Sequence, residues 1–185
     1  MEKGHALLLN ALPSVLKDVP DAALLVVGDG PDRETLSVQA RTLGVMSQIV
    51  WAGERSPEEA LALYAAMEVV AVPSRFEGFG LSAAEAMAAG RPVVGTRVGG
   101  LAELIEDGVT GYLISADDSA GLAAALIRVL ADPGEAANMG ARGRTRVSEQ
   151  FSSERFAESF LNAYRYFMKD GTSSGGPAGR LPFGP

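Results

Sequence analysis

Two carboxylates, Glu77 and Glu85, stand with seven residues between them and enclose a glycine-rich turn, Gly78-Phe79-Gly80-Leu81. Glycines at 78 and 80 let a ligand approach the backbone with no Cβ in the way. A helix expected to start near Ser82 presents unpaired N–H groups and the positive end of its dipole, a combination that suits a phosphate. The carboxylates cannot serve the same phosphate, because they accept hydrogen bonds and donate none. Their natural partners are sugar hydroxyls, a ribose diol for Glu85 on the helix and a second sugar for Glu77 in the loop. Taken singly, Glu77 and Glu85 also read as solvated surface charges, and Phe79 as a packing anchor.

Such a turn needs a strand before it and a helix after it. Short runs rich in Val, Leu and Ile alternate with amphipathic stretches, the pattern of a doubly wound α/β fold with a parallel sheet. The strands are expected at 22–27, 48–53, 68–73, 92–96 and 111–114. Helices are expected at 5–19, 32–43, 56–66, 82–89 and 101–107. Pro31 reads as the first helical residue after the Gly28-Asp29-Gly30 turn. Gly90 and Pro92 close the helix that starts near Ser82. Beyond residue 114 the chain turns helical at 118–131, 134–150 and 152–168, and Asp117-Asp118 reads as a helix N-cap rather than a metal site. The amino end leads straight into a helix where a parallel sheet normally supplies a strand first, as in the back half of something longer. Ligands of open parallel sheets bind outside the carboxyl ends of the strands, where the 77–85 segment falls.

Composition narrows the classes. The 185 residues carry a net charge of −7, which disfavours a broad surface for nucleic acid or anionic lipid, so any bound anion must be held locally. No membrane-spanning run or signal peptide is legible, and the expected location is the cytoplasm. Without cysteine and with the single histidine His5, disulfides, thiolate metal sites and a Ser/His/Asp triad are excluded, and His5 reads as surface or packing. No carboxylate cluster is dedicated to a cation, so no metal and no cofactor is expected. Residues 171–185 hold five glycines and three prolines and read as a disordered tail, native or vector-derived.

Glu77-Gly78-Phe79-Gly80-Leu81 with Glu85 forms a Glu-x7-Glu motif. With Lys3-Gly4, Val26-Val27-Gly28-Asp29-Gly30-Pro31, Val69-Val70-Ala71-Val72-Pro73-Ser74, Gly90-Arg91-Pro92-Val93-Val94, Val98-Gly99-Gly100 with Glu103, and Asp107-Gly108-Val109-Thr110-Gly111-Tyr112, the chain resembles the C-terminal nucleotide-sugar-binding domain of retaining GT-B glycosyltransferases of group 1, family 4 type. The resemblance implies a Rossmann-like donor domain over 1–170 with extra C-terminal helices. It gives Glu85 to the ribose hydroxyls of the nucleotide and Glu77 to the donor sugar. The amides of Gly78 to Leu81 lie against diphosphate and sugar, and Lys3 neutralises the diphosphate as a mobile point charge. Gly28 and Gly30 resemble the strand-end loop near the nucleotide, or act as turn-makers alone; Arg55 follows the strand whose end lines the base. Gly99, Gly100 and Glu103 read as a second loop-to-helix turn, structural or functional.

What the family also carries lies outside these residues. An arginine before the Lys-Gly pair, half of the phosphate clamp, and an N-terminal domain that binds the acceptor are both expected elsewhere in the same polypeptide. The fragment is therefore expected to bind a nucleotide diphosphate sugar, UDP-linked or otherwise, without turnover, and to touch a membrane only peripherally and through the missing half. The last helix resembles one that crosses back to the N-terminal domain, so its uncovered apolar face makes self-association a hazard. A non-catalytic sugar-nucleotide-binding or regulatory module is the alternative. A dinucleotide-binding domain is disfavoured, because Gly28-Asp29-Gly30-Pro31-Asp32-Arg33 lacks the third glycine of that fingerprint.

Overall fold

In a computed structural model of the protein, which describes residues 2–170, the chain divides into two compact units that meet after Val147. The first holds the strands β1 (Leu24–Val27), β2 (Ile49–Gly53), β3 (Val70–Val72), β4 (Val93–Thr96) and β5 (Gly111–Ile114). Between and after them run α1 (His5–Asp18), α2 (Arg33–Thr42), α3 (Pro57–Ala66), α4 (Leu81–Ala88), α5 (Gly99–Leu104), α6 (Ser119–Ala131) and most of α7 (Pro133–Gln150). The second unit contains the last residues of α7 and α8 (Ser153–Asp170). The tail read as disordered, 171–185, lies outside the described residues.

All five strands pair in parallel, as the βα alternation requires. They fall into two sheets rather than one, β1-β2 and β3-β4-β5. β4 is central in its sheet and buried at every residue, whereas all four residues of β1 are only half-buried. Gly111 is required between β4 and β5, because a Cβ there would stand 2.0 Å from the carbonyl oxygen of Val93.

The main core lies under the sheets. α1 buries Leu8, Leu9, Ala11, Leu12 and Val15, a 3.6-residue stripe, and sets it against Leu122, Ala123, Leu126 and Val129 of α6. Pro13 sits inside α1 without ending it. α4 ends in a Schellman arrangement with Gly90 left-handed at φ 74°: the Gly90 N–H donates to Met87 (2.8 Å) and the Arg91 N–H to Ala86 (2.9 Å). In α8 the large apolar side chains of Phe160, Leu161, Tyr164, Tyr166 and Met168 are exposed. No helix among the described residues is long and apolar enough to cross a membrane.

Three local expectations are corrected. Pro31 is not the first helical residue; it stands in a turn, α2 begins at Arg33, and its first turn is closed by Leu36 N–H donating to the Asp32 carbonyl (2.9 Å). α5 occupies 99–104 rather than 101–107, because the two glycines enter the helix and Ile105 is already extended. Of the two acids at 117–118 only Asp118 caps α6, accepting from the Gly121 N–H at 2.8 Å; Asp117 takes a left-handed backbone (φ 63°) and pairs with Arg75 at 2.7 Å.

α7 packs closely on the end of α4. A Cβ on Gly140 would lie 2.0 Å from the Gly90 carbonyl oxygen, while one on Gly134 would meet nothing nearer than 3.4 Å. Gly140→Ala is expected to destabilise the protein by about 1–3 kcal/mol through overpacking, whereas Gly134→Ala leaves stability unchanged or raises it. Urea unfolding of the two variants checks this, and equal midpoints for both would refute the close approach.

Candidate active site

Pro73-Ser74 follow β3, and the loop 75–80 carries the chain to α4. Gly80, left-handed at φ 95°, makes the final turn and leaves α4 with no side-chain cap. The first intrahelical bond runs from the Ala84 N–H to the Gly80 carbonyl (2.9 Å), so the amides of Leu81, Ser82 and Ala83 form a donor-rich end.

What holds the loop is α5. The Gly100 N–H donates to the Glu77 carbonyl at 3.1 Å. A Cβ on Gly99 would stand 1.9 Å from that same oxygen, and one on Gly100 would stand 2.5 Å from the Phe79 Cα. Gly99 and Gly100 therefore buttress the loop from beneath, which gives them a structural role. Phe79 is 41% exposed rather than packed as an anchor, and Phe76 is 74% exposed.

Glu77 is brought to Lys3. Its Oε2 accepts from the Lys3 ammonium at 2.9 Å and from the Ser74 hydroxyl at 3.3 Å. Ser74 is fully buried, and its carbonyl accepts from the Thr96 hydroxyl. The Glu77 side chain is only 15% exposed while that of Lys3 is 63% exposed: a fixed carboxylate with a movable cation on it. Lys3 is carried here by Gly4, left-handed at φ 73°, where a Cβ would stand 1.8 Å from the Pro73 carbonyl oxygen.

Glu85 is exposed on α4, and the structure joins it to a residue that nothing in the sequence marked. The Tyr64 hydroxyl, at the end of α3, lies near enough to Ser82 and Glu85 for both to bias its titration. Burial, opposed by Ser82 and reinforced by the Glu85 charge, pushes the Tyr64 phenol up from its usual range. Ser74 stood in the sequence only as the last residue of the Val69–Ser74 motif, with no role given to it.

One hollow adjoins this loop, and a second lies across Lys3 from it. The first, of about 850 Å³, has Lys3, Ser74, Glu77, Ser82 and Tyr64 at its mouth and reaches down between β1 and β3. The other, of about 510 Å³, is lined by Gly28, Gly30, Arg33 and Trp51, with Lys3 and His5 shared between the two. In it the Arg33 guanidinium lies 5.4 Å from the Trp51 ring centre, and the Trp51 indole N–H is buried without a partner. His5 is held below the usual histidine range, chiefly by dehydration, with Asp32 opposing and Lys3 lowering it further.

The structure thus brings Lys3, Glu77 and the start of α4 together, and places Gly28 and Gly30 across Lys3 from them. Arg55 lines neither hollow. It precedes α3, where Ser56 and Glu59 form a capping box, and lies 3.9 Å from Glu59. Among the described residues no three His, Asp or Glu side chains gather as a cation site requires.

A family model described as "Glycosyl transferases group 1" matches residues 1–146. The chain belongs to that family. It is 36% identical over 162 residues to the N-acetyl-alpha-D-glucosaminyl L-malate synthase of Bacillus anthracis, covering 88% of this chain and 42% of the synthase. It is 41% identical over 149 residues to a GDP-mannose-dependent alpha-(1-6)-phosphatidylinositol monomannoside mannosyltransferase of Mycolicibacterium smegmatis, covering 77% and 39%. Among solved structures, HepE of Anabaena in complex with UDP-glucose superposes with a TM-score of 0.77 at 29% identity, covering 87% of this chain and 46% of that one. The chain therefore spans about 40% of the length of these curated relatives. Its fold is that of the C-terminal half of a GT-B glycosyltransferase.

The Tyr64 contact has a titration consequence. The fold favours the neutral phenol, so its contribution to stability is intact below the reference value of 10.0 and is lost as pH rises through the higher folded value. Urea midpoints measured at about pH 8 and about pH 11 should fall further for the wild type than for Tyr64→Phe. Parallel falls would remove Tyr64 from the Glu85 cluster.

Proposed function

We propose that this chain is the donor-binding domain of a retaining glycosyltransferase that transfers a hexosyl unit from a nucleotide diphosphate sugar. The observation that carries the reading is the Lys3–Glu77 pair at 2.9 Å beside the uncapped start of α4. A diphosphate arriving at the amides of Leu81 to Ala83 competes for the Lys3 ammonium and draws it off Glu77. Held by Ser74, the freed carboxylate then accepts from hydroxyls of the donor sugar. As the bond between the sugar and the diphosphate breaks, charge gathers on the departing diphosphate, where Lys3 and the helix end stabilise it more in the transition state than in the ground state.

Glu85 takes the ribose diol, with Tyr64 and Ser82 fixing its orientation. Gly78, Phe79 and Gly80 line the sugar and phosphate, and Gly28 and Gly30 border the nucleotide; Arg55, turned to Glu59, takes no part. Uridine is the base we propose, in keeping with the UDP-glucose bound by HepE. No metal or cofactor enters this scheme. The acceptor is supplied by an N-terminal domain of the same polypeptide, so the chain by itself binds without turning over, and a cytoplasmic location fits a nucleotide-sugar donor.

Isothermal titration of the chain with UDP and GDP tests the reading. Binding should be measurable, and Glu85→Ala or Lys3→Met should each weaken it by at least about tenfold, the equivalent of one lost charge-assisted hydrogen bond. Failure to bind either nucleotide at millimolar concentration, or affinities untouched by both substitutions, would refute it.

A further inference from the structure

The carboxyl ends of β3, β4 and β5 carry a second group of side chains, apart from both hollows. Arg75 and Phe76 come after β3 and stand directly before Glu77, while Asp117 comes after β5. None of the three lines either hollow. The Arg75 Nε donates to the Asp117 Oδ1 at 2.7 Å, and because β4 lies between β3 and β5 this bond spans the end of β4. The Arg75 side chain thus runs towards β5, on the side of the loop opposite the hollow between β1 and β3.

Two features fix the pair in place. The Arg75 N–H donates to the Glu2 carbonyl at 2.8 Å, which pins its backbone. Asp117 is the one non-glycine residue with a left-handed backbone among the described residues. A conformation of that kind persists only where its surroundings determine it, and such residues gather at ligand clamps and active sites. The cap of α6 does not call for it, since Asp118 supplies that cap with its own carboxylate.

What the pair leaves open defines a ligand. Asp117 takes the Nε of Arg75, so the two terminal amino groups remain as donors, and the second Asp117 oxygen remains as an acceptor; both side chains are exposed. A hydroxyl donates and accepts, so two neighbouring hydroxyls satisfy both groups at once. A phosphate or carboxylate would suit Arg75 and be repelled by Asp117. Phe76, next in the chain, offers an exposed aromatic face. A pyranose ring has an apolar C–H side that gains by leaving water against such a face. The ring and the ion pair therefore match the two kinds of surface that one sugar presents.

We propose that Arg75, Phe76 and Asp117 form a subsite for a neutral pyranose ring of the acceptor, with Phe76 against its C–H side and the Arg75–Asp117 pair on a vicinal diol. The assignment to the acceptor rests on the donor reading, in which Glu77, the next residue, holds the donor sugar. A ring on Phe76 then adjoins that sugar on the side away from the diphosphate. Acceptor recognition is thereby shared between this chain and the N-terminal domain.

The test is an NMR titration of the isotope-labelled chain with methyl α-D-glucopyranoside, with and without saturating UDP. The Phe76 amide and Arg75 Nε resonances should shift saturably in both series, and glycerol phosphate at the same concentrations should shift them less. Phe76→Ala and Asp117→Asn should each weaken the glycoside by at least about fivefold, Phe76→Tyr should keep the wild-type affinity, and none of the three should change UDP binding. Shifts that never saturate, equal affinities in wild type and Phe76→Ala, a stronger response to glycerol phosphate, or weaker UDP binding in Asp117→Asn would each overturn the proposal. UDP binding is read in the same samples. Its absence in the wild type refutes the donor reading, while a saturable glycoside shift still supports the ring subsite, so the two fail separately.

Discussion

The candidate site depends on one close backbone approach. Gly99 and Gly100 come so near to residues 77–79 that a Cβ on either would overlap main-chain atoms, and the Gly100 N–H bonds the Glu77 carbonyl. That contact fixes the loop after β3. With the loop fixed, Gly80 must take a left-handed turn, α4 must start at Leu81, and its first amides face outward without a capping side chain. An acidic or hydroxyl cap at residue 80 would have satisfied those amides internally and left nothing for an anion.

The second dependence runs to the amino end. Lys3 reaches Glu77 because Gly4, lying against Pro73, holds the start of α1 beside the end of β3. A cation and a carboxylate that satisfy each other cost little to hold there. On the proposed reading, an entering diphosphate exchanges one charge-assisted contact for another rather than creating charge in an apolar hollow. The same placement sets Lys3 in the lining of both hollows.

Much of the architecture was legible in the residues. Five apolar runs became five parallel strands within two residues of their expected bounds, and the Gly90-Pro92 stop closed α4 as read. The misreadings share one cause. Pro31, α5 and Asp117 were assigned from local propensity, whereas the tertiary environment decided them: a turn before α2, glycines entering α5 to meet the 77–80 loop, and an Arg75 partner for Asp117. Tyr64 carried no signal and Ser74, though part of the Val69–Ser74 motif, no role, because a tyrosine in a helix and a serine after a strand are ordinary. Only packing brings the first to Glu85 and the second under Glu77.

By itself, then, the sequence determined the βα alternation, the glycine-rich turn between two acids, and through these the family, since they depend on side-chain periodicity and residue type along a short stretch. Tertiary structure alone decided which of the marked residues meet. Lys3 and Glu77 are 74 positions apart and touch; Arg55, marked beside them, turns to Glu59 instead. It alone revealed two sheets where one was expected, because strand pairing is a long-range contact that local pattern does not encode.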